Sequence, residues 1–557
     1  MVPIPIKHRS ARRAAPAIQR GAATTPPHSP EARVNPSAAP PSQPATSSST
    51  HDASTVPQAV PLHGASTSTP ATASTSSSSP VQAPASPRGP AAAPPQRHPM
   101  VTRAQAGIHK PNPKYVHVAT TPAPAPPPTG VRAVLRDPEW LAAMQEEFNA
   151  LQNNNTWTLV PRPAQANVIT GKWLFKNKLN PDGTLERRKA RWVVGGFSQR
   201  PSIDFHQTFS PVVKPATVRT VLHLAATRRW TVHQLDIKNA FLHGDLAERV
   251  YCHQPAGFVD PDCPNHVCLL VKSLYGLKQA PRAWFQRLGN HLRSMGFIAS
   301  GSDSSLFIFQ RGDQVVYLLV YVGDIILTAS TTTTLRRVID QLRHVFALKD
   351  LGELRFFLGV QVCRDATGFY LNQAQYIEDI LERAGMSNCK PASTPMEAKP
   401  KLSATDGEPA SDPTFYRSIT GALQYLTLTR PDIAYGVNQA CLHMHAPRDV
   451  HWNLVKRILR YLRGTINHGI KISATPSTAL KVYSDADWGG CPDTQRSTSG
   501  YCVFLGDSLM SWSSKRQTTV SRSSAEAEYR AVANAAAECC WLRNLLRELH
   551  VTIDKAT

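Results

Sequence analysis

Two aspartates in apolar surroundings are the first residues of this sequence whose type and position suggest chemistry. Asp236 lies between Leu235 and Ile237 on a predicted strand. Asp324 follows Gly323 in a predicted tight turn between two strongly apolar strands. A carboxylate in such a place is costly unless a cation or a hydrogen-bond donor compensates its charge. Taken alone, each aspartate also fits an ordinary role, as a hydrogen-bonded strand end for Asp236 and as turn chemistry for Asp324.

A second group of carboxylates lies near the C-terminus. Asp485 closes the first strand of a predicted strand-strand-strand-helix unit, and Glu528 lies in the first turn of its long helix. At steps of four and three residues, Glu528 shares a predicted helix face with Val532, Ala535, Cys539, Leu542, Leu546 and Leu549. A carboxylate on the stripe that faces a sheet favours a metal ligand over a solvated side chain. Asp487 is the alternative to Asp485, whereas Glu526 forms a predicted capping box with Ser523.

Short strands that alternate with helices must position these groups. In the first part of the chain the pattern predicts a helix that opens at Asp137-Pro138-Glu139, because proline and acids suit a helix N-terminus. The other elements predicted up to residue 330 are a hairpin over 173–194, a helix over Val218–Thr227, a strand over Val232–Ile237, a helix over Ala283–Met295 and a hairpin over 314–328. This mixture of short antiparallel strands and packed helices predicts an α+β fold.

Beyond residue 330 the same kind of pattern continues. The predicted elements are a helix over Thr334–Phe346, a hairpin from Leu354–Cys363 to Gly368–Leu371, a helix over Gln373–Ala384, a polar linker over 391–413, two or three helices over 414–465, strands over Leu480–Ser484, Tyr501–Leu505 and Leu509–Ser513, and a helix over Ser524–Leu549. These elements are enough to position the second carboxylate group.

The N-terminal stretch differs sharply from the rest in composition. Residues 1–130 hold 27 of the 47 prolines, 11 of the 61 lysines and arginines, and two of the 39 acids. Such a stretch cannot bury enough apolar area to offset the entropy that is lost on ordering. We therefore expect residues 1–130 to be a disordered linker rich in Pro, Ser and Ala.

Charge and hydropathy bound the function of the remaining residues. They carry 50 Lys and Arg against 37 Asp and Glu, which makes nucleic acid the first candidate partner. The longest apolar run, Val315–Leu327, is too short to span a membrane and is interrupted by Asp324, so the sequence excludes a transmembrane protein. Ten scattered cysteines without a C-x-x-C pair favour a reduced intracellular protein over a secreted one.

Several runs of sequence, taken together and in this order, resemble one family almost word for word. They are Lys189-Ala190-Arg191, Thr208–Val213, Leu235–Asp245, Leu274–Trp284, Leu351-Gly352-Glu353-Leu354 and Tyr483–Trp488. The family is the reverse transcriptase of copia-type long-terminal-repeat retrotransposons, and the resemblance covers nearly all of residues 135–557. Residues 1–130 resemble the linker between integrase and polymerase in these polyproteins, and the resemblance favours a plant element.

The resemblance implies a polymerase of fingers, palm and thumb with a tethered RNase H domain. The implied boundaries are 135–330 for fingers and palm, 331–395 for a thumb-like region, 396–478 for a linker with connection helices, and 479–557 for a truncated RNase H-like domain. It also implies two Mg²⁺ ions, or Mn²⁺, that activate the primer 3′-hydroxyl and stabilise the leaving pyrophosphate. The implied metal ligands are Asp236 and Asp324 in the polymerase, and Asp485 and Glu528 in the RNase H-like domain.

Six other residues are implied to hold the incoming nucleotide. Lys189 and Arg191 would bind its triphosphate, and Phe241 would stack under the sugar and exclude a 2′-hydroxyl. Three more would border the nucleotide, namely Lys278, Gln279 and Arg282. Without the resemblance, the four cations in this set indicate only a solvated basic face.

The sequence departs from the family pattern at two positions. Where the family has Tyr-Val-Asp-Asp at the turn, this chain has Gly323 before Asp324, and a family-typical lysine is Gly195 here. Position 323 should hold the carboxylate that bridges both metal ions with Asp236, so we expect the fold to survive and the chemistry to be lost. The family's third RNase H carboxylate lies on the strand after the last helix. We expect the chain to stop at Thr557 before reaching it, which leaves that sheet edge unpaired.

The resulting hypotheses differ in whether the chain turns over substrate. The leading one is an RNA-directed DNA polymerase that is defective in this copy, with RNA template, DNA primer, RNA–DNA hybrid and deoxynucleoside triphosphates as partners. Other transposon polyprotein products are further candidate partners, and the expected location is intracellular, in the cytoplasm within virus-like particles or in the nucleus. The alternative is a non-catalytic nucleic-acid-binding remnant. A host-recruited interaction protein is a third hypothesis, supported only by the N-terminal stretch.

Overall fold

The computed structural model describes residues 126–128, 130–180, 184–397, 401–553 and 555–556, the last two by their backbone only. All of them belong to a unit that spans Lys110–Thr557. Of residues 1–130, for which we expect disorder, only 126–128 and 130 lie within these ranges. The expected disorder therefore stays a prediction. The turn expected at 181–183 also lies outside them. Over the described ranges, the helices are too short or too polar to cross a membrane.

The described residues combine helices with sheets, as the sequence predicts. The α-helices are α1 (Val131–Val134), α2 (Pro138–Asn153), α3 (Pro215–Thr227), α4 (Ala280–Ser294), α5 (Thr332–Arg343), α6 (Ala374–Arg383), α7 (Pro413–Leu426), α8 (Ala434–Cys441), α9 (Asp449–Gly464) and α10 (Ser524–Glu548). Short 3₁₀ helices cover Gly196–Ser198, Ala240–His243 and Pro431–Ile433.

The strands are mostly short, as expected for an α+β fold. In the first part of the chain they are β1 (Trp157–Pro161), β2 (Val168–Ile169), β3 (Gly171–Leu179), β4 (Leu185–Val194), β5 (Val232–Ile237), β6 (Asp245–Cys252), β7 (His266–Lys272), β8 (Ile298–Ala299), β9 (Leu306–Arg311), β10 (Gln314–Tyr321) and β11 (Asp324–Ala329). The later strands are β12 (Leu348–Glu353), β13 (Phe356–Phe357), β14 (Val360–Asp365), β15 (Gly368–Asn372), β16 (Gly469–Ser473), β17 (Ala479–Asp487), β18 (Thr498–Leu505), β19 (Ser508–Arg516) and β20 (Lys555–Ala556).

Helix α2 begins where the sequence predicts it. The Asp137 carboxylate accepts hydrogen bonds from the backbone N–H groups of Glu139 and Trp140, and Pro138 occupies the first helical position. This cap satisfies donors that a helix N-terminus otherwise leaves free. On its buried side, α2 shares an apolar core with Trp173 and Trp192 of the antiparallel hairpin β3–β4.

A six-stranded sheet, which we call the central sheet, has the strand order β12-β5-β11-β10-β9-β8. The predicted hairpin β10–β11 lies within it, with Tyr321 opposite Asp324 at the tight end. Strand β5 lies between β11 and β12 and pairs with both in antiparallel fashion. The sheet therefore contains residues on both sides of the boundary expected at residue 330.

The strand expected over Leu354–Cys363 is wrong in detail. The structure has two short strands there, β13 and β14, which pair with each other. Leu358 and Gly359, with φ of 49° and 67°, adopt left-handed conformations that reverse the chain between them. Strand β15 then pairs with β16, which comes from residues that the sequence pattern leaves unassigned.

Residues 479–553 and 555–556, which we call the C-terminal unit, form a sheet with the order β19-β18-β17-β20, flanked by α10. The helix stripe expected to contain Val532 is wrong, because Val532 is 50% exposed. The buried residues of α10 are Ala527, Ala531, Ala535, Leu542, Leu545 and Leu546, so Glu528 lies at the border of the stripe.

The expectation that the edge of β17 stays unpaired is also wrong. Strand β20 follows α10 and pairs in parallel with β17, with Lys555 opposite Ala479. His550, with φ of 55°, lies just beyond the helix and adopts a left-handed conformation of the kind that often ends helices.

A candidate polymerase cleft

The two aspartates singled out from the sequence are neighbours in the fold. Asp236 and Asp324 lie directly opposite each other on the antiparallel strands β5 and β11. Side chains in such a pair project from the same face of the sheet, with Cβ atoms roughly 5 Å apart. Burial raises the pKa of Asp324, and the neighbouring charge of Asp236 raises it further. A cation at this place would relieve both effects.

Position 323 is directed at the same carboxylate. A Cβ atom placed on Gly323 would lie 3.9 Å from Asp236 Oδ1 and 3.5 Å from the Cβ of Ala240. It would approach the carbonyl oxygen of Ile237 to 3.2 Å, so a side chain here requires this backbone to shift by a few tenths of an ångström. Val322, and not Gly323, has the left-handed backbone in this turn, with φ of 55°. An aspartate at position 323 therefore fits the backbone and points towards Asp236.

A cleft of about 630 Å³ opens over this pair. Helix α2, strand β4, the segment 236–241, Tyr275, the turn at Gly323 and Lys349 on β12 form its walls. Asp236 lines the cleft, whereas Asp324 is half-buried and is not among the lining residues. Among the described residues, six cations line the cleft against four acids; the cations are Arg187, Arg188, Lys189, Arg191, Lys238 and Lys349. The cleft thus suits a polyanion.

Three residues expected at the nucleotide do line the cleft. The Arg191 guanidinium lies 3.8 Å from the ring centroid of Tyr275, and the edge of Tyr275 meets Phe241 at a centroid distance of 5.2 Å. Lys189 lies on the same strand as Arg191. Burial lowers the pKa of Lys189, and the neighbouring charges of Arg191 and Arg187 lower it further. A bound phosphate group would restore the charged form of Lys189 by pairing with it.

The other three residues expected at the nucleotide do not line the cleft. Gln279 is only 2% exposed, and its amide oxygen accepts a hydrogen bond of 2.9 Å from Gln199. Lys278 precedes it, and Arg282 donates a hydrogen bond of 3.3 Å to the carbonyl oxygen of Phe209. In this structure the contacts of Gln279 tie two loops together, and the residue has no free polar atom for a ligand.

Sequence reasoning missed several lining residues, and three of them contact predicted ones or carry a signal of their own. Tyr275 lies within the Leu274–Trp284 run, in which the resemblance assigns only Lys278, Gln279 and Arg282 to the nucleotide. Glu147 is three residues after Met144 on the apolar stripe of α2, and a carboxylate on such a stripe was a usable signal. It accepts a hydrogen bond of 3.4 Å from the backbone of Trp192, and burial raises its pKa. Lys349 lies opposite Asp236 on β12, a long-range pairing without a local signal.

Two glycines allow close backbone contacts on the β4 side of the cleft. A Cβ on Gly276 would lie 2.0 Å from the carbonyl oxygen of Val194, and one on Gly196 would lie 2.0 Å from the carbonyl oxygen of Gly276. Gly276 has φ of 97°, which other residues rarely adopt. The backbone N–H of Val194 donates to the carbonyl of Tyr275 at 2.9 Å. This seam fixes the strand of Arg191 against the loop of Tyr275.

The C-terminal unit separates the two aspartates that compete as candidates there. The Asp487 carboxylate accepts hydrogen bonds from Lys401 Nζ at 2.9 Å and from the Thr498 backbone at 2.6 Å. Asp485 is exposed and shares its strand face with Tyr483, which is 62% exposed.

The two C-terminal glutamates also differ. The Glu526 carboxylate accepts from Arg530 at 2.7 Å, and the backbone N–H of Glu526 donates to the Ser523 cap as expected. The other half of the predicted capping box is wrong, because the Glu526 carboxylate accepts from the backbone of Arg522 and not of Ser523. Glu528 is half-buried beside it. Over the described part of the chain, His, Cys, Asp and Glu side chains form no group of three or more that could hold a metal ion.

Comparison with known proteins points to one kind of sequence. Residues 154–398 match a family model described as reverse transcriptase (RNA-dependent DNA polymerase). The retrovirus-related Pol polyprotein from transposon RE1 of Arabidopsis thaliana is 50% identical over 464 residues, which is 83% of this chain and 32% of that protein. The corresponding polyprotein from transposon TNT 1-94 of Nicotiana tabacum is 40% identical over 438 residues, 76% of this chain and 33% of that protein.

A shorter relative is covered almost completely. The putative transposon Ty5-1 protein YCL074W of Saccharomyces cerevisiae is 33% identical over 298 residues, which is 53% of this chain and 97% of that protein. The chain thus spans about a third of the length of the two plant polyproteins.

Proposed function

Since this chain belongs to the family of retrovirus-related Pol polyproteins from copia-type transposons and carries their reverse transcriptase domain, we propose that its cleft is the site of an RNA-directed DNA polymerase. We further propose that the chemistry of this site is largely lost in this copy. The observation that carries the proposal is that a side chain at position 323 would begin 3.9 Å from the carboxylate of Asp236. The family's turn places a carboxylate there, and here Gly323 faces Asp236 without one. Primer extension by the chain and by its Gly323→Asp variant distinguishes a silenced polymerase from a protein that only binds nucleic acid.

In this proposal the parts of the fold take the roles of a polymerase. The hairpin β3–β4 acts as the fingers, and the central sheet acts as the palm. The proposed thumb-like region is 331–395, followed by a linker with connection helices over 396–478. The strand β12, which joins the central sheet, then belongs to the palm in structure, whatever the order of the chain.

Different cleft residues are proposed to bind different parts of the substrate. Lys189 and Arg191 bind the triphosphate of a deoxynucleotide, because both cations line the wall formed by β4. The ring of Phe241 lies under the sugar and leaves no room for a 2′-hydroxyl. Tyr275 supports that ring by its edge contact and carries Arg191 on its face. The template is RNA and the primer is DNA, as the family implies.

Reverse transcriptases use divalent metal ions, and the donor set of this chain does not fit a pair of them. Asp236 and Asp324 supply carboxylates from adjacent strands, but Gly323 supplies none. Two closely spaced divalent ions need carboxylate oxygens to bridge and neutralise them. What this chain's residues still do is hold the triphosphate and the sugar. That remaining capacity also favours the alternative function, a non-catalytic nucleic-acid-binding remnant.

Binding of a primer–template duplex is expected to fall steeply with salt and to depend little on sequence. Release of counterions gives a log–log slope of about −0.9 for each phosphate contact. Replacement of Arg187 by alanine should weaken binding of all sequences and reduce the slope by about one. Arg336→Ala, on the exposed side of α5, is the matched control and should change neither quantity. Fluorescence anisotropy across a salt series measures both, and a flat plot would remove the basic cleft from the proposal.

The C-terminal unit is proposed to be an RNase H-like domain with Asp485 and Glu528 as its carboxylates. Asp487 is the weaker candidate, because Lys401 and Thr498 already hold it. We expect no cleavage of the RNA strand of a hybrid by this chain in Mg²⁺ or Mn²⁺, because a two-ion site needs more than two carboxylates and the described residues bring no third ligand to Asp485 and Glu528. A labelled hybrid resolved on a denaturing gel measures it. Cleavage that disappears in Asp485→Asn would show that the carboxylate set is sufficient.

A further inference from the structure

One face of helix α3 packs against the C-terminal unit through a buried arginine. Arg219 is 6% exposed, and its Nε donates to the carbonyl oxygen of Met510 at 2.7 Å. Its Nη1 donates to the carbonyl oxygen of Leu428 at 3.1 Å, and its guanidinium lies 4.1 Å from the ring centroid of Trp512. A buried guanidinium is expensive unless its donors are satisfied in this way.

A second polar contact lies one helical turn further along α3. His223 is 1% exposed, and its Nδ1 lies 3.3 Å from the hydroxyl of Ser508. That hydroxyl accepts a hydrogen bond of 2.8 Å from the backbone of Ser473, so it can donate to a neutral imidazole. Burial lowers the pKa of His223 to about 4, which keeps the ring neutral at neutral pH. The contact is therefore a neutral hydrogen bond between α3 and β19.

Helix α10 adds contacts to the central sheet at its C-terminal end. The hydroxyl of Tyr317 donates to the carbonyl oxygen of Leu549 at 2.7 Å. The hydroxyl of Ser302 donates to Glu548 at 2.6 Å, and the indole of Trp541 donates to the carbonyl of Ser302 at 2.8 Å. One apolar core includes residues of both parts, namely Leu306, Ile308 and Leu319 with Leu542, Leu545 and Leu546.

From these contacts we propose that the face of α3 around Arg219 is a docking surface for the C-terminal unit. This surface keeps the C-terminal unit bound even when the covalent link between the two is cut, and Arg219 is its anchor. Three observations support this: a shared apolar core, hydrogen bonds of Arg219, His223 and Tyr317 across the contact, and a buried arginine, the residue type that often dominates binding energy. The inference goes beyond the proposed chemistry of the cleft. It implies that a cut in the loop 474–478 leaves the polymerase and the C-terminal unit together in one particle.

The test cuts the full chain in that loop. A protease recognition sequence is inserted after Pro476, between β16 and β17, and the folded protein is nicked and examined by size-exclusion chromatography and analytical ultracentrifugation at low micromolar concentration. We expect both fragments to elute together at the size of the uncut chain. Separation of the fragments under these conditions would overturn the proposal.

Two substitutions test the anchor. Arg219→Ala and Arg219→Met both leave the carbonyl oxygens of Met510 and Leu428 without their donor, and Arg219→Met keeps most of the side-chain volume in case the smaller residue impairs folding. After nicking, we expect each variant to bind its C-terminal fragment at least about tenfold more weakly, which corresponds to about 1.4 kcal/mol. Arg336→Ala, an exposed arginine on α5, is the control and should keep the affinity of the nicked parent. Unchanged affinity in Arg219→Met would refute Arg219 as the anchor.

Discussion

Replacement of Gly323 by aspartate is expected to give this chain Mg²⁺-dependent primer extension that the unmodified chain lacks. The new Cβ lies 3.9 Å from Asp236 Oδ1 and needs no left-handed backbone, so the variant would add a third carboxylate beside Asp236 and Asp324, which a pair of divalent ions would require. If the lost stabilisation amounts to several kcal/mol, the rate differs by roughly three orders of magnitude or more, since each 1.36 kcal/mol is tenfold. Incorporation of labelled deoxynucleotides on a primed RNA template measures it.

Three comparisons make this result specific. Gly323→Asn has nearly the same shape as Gly323→Asp without the charge, and it should not restore extension. Asp236→Asn in the Gly323→Asp protein should abolish extension again. Robust extension by the unmodified chain would refute the claim that position 323 silences it. If Gly323→Asp alone fails, the next suspect is Gly195, where a side chain would meet the ring of Phe197 at 3.0 Å.

Replacement of Gly276 by alanine is expected to destabilise the fold and to disrupt the nucleotide side of the cleft. The added Cβ would lie 2.0 Å from the carbonyl oxygen of Val194, on a backbone with φ of 97°. Backbone cannot move away as a flexible side chain does, so we expect a loss of about 3 kcal/mol or more in the free energy of unfolding. Denaturant titration followed by circular dichroism measures the loss.

A second glycine separates the clash from the backbone strain. Gly312 has φ of 59° in the turn between β9 and β10, and a Cβ there would meet no atom within 4 Å. Gly312→Ala should therefore cost only the left-handed penalty of about 1–2 kcal/mol. Equal losses for the two variants would show that the contact with Val194 relaxes freely. Loss of triphosphate binding in Gly276→Ala alone would link the seam to the positions of Arg191 and Tyr275.

Local signals were sufficient for much of the fold. The start of α2 follows from a proline preceded by a capping aspartate, and strand β5 has the bounds that the apolar alternation around Asp236 predicts. The hairpin β10–β11 follows from two apolar runs on either side of a short turn. In each case the deciding contacts lie within a few residues of one another in sequence, so composition and spacing carry the information.

Long-range pairing is what the sequence does not encode locally. The four-stranded sheet with the order β1-β7-β6-β2 pairs segments separated by about a hundred residues, and the sequence of each segment alone does not indicate its pairing partner. The pairing of β12 with β5 puts Lys349 opposite Asp236 for the same reason. Gln279 is expected at the nucleotide only from the family resemblance, and no local signal shows that tertiary packing leaves it 2% exposed.

The position of helix α2 bears on recombination between diverged copies of the transposon. It precedes the segment that matches the family model, yet it forms a wall of the cleft and binds β4 through an ion pair of 2.6 Å between Asp137 and Arg188. Recombination between diverged copies, with a breakpoint between the codons of α2 and β4, would join a wall from one parent to a strand from another. Such a hybrid keeps every recognisable motif, but Glu147 and the strand whose Trp192 backbone N–H it accepts from are no longer inherited together.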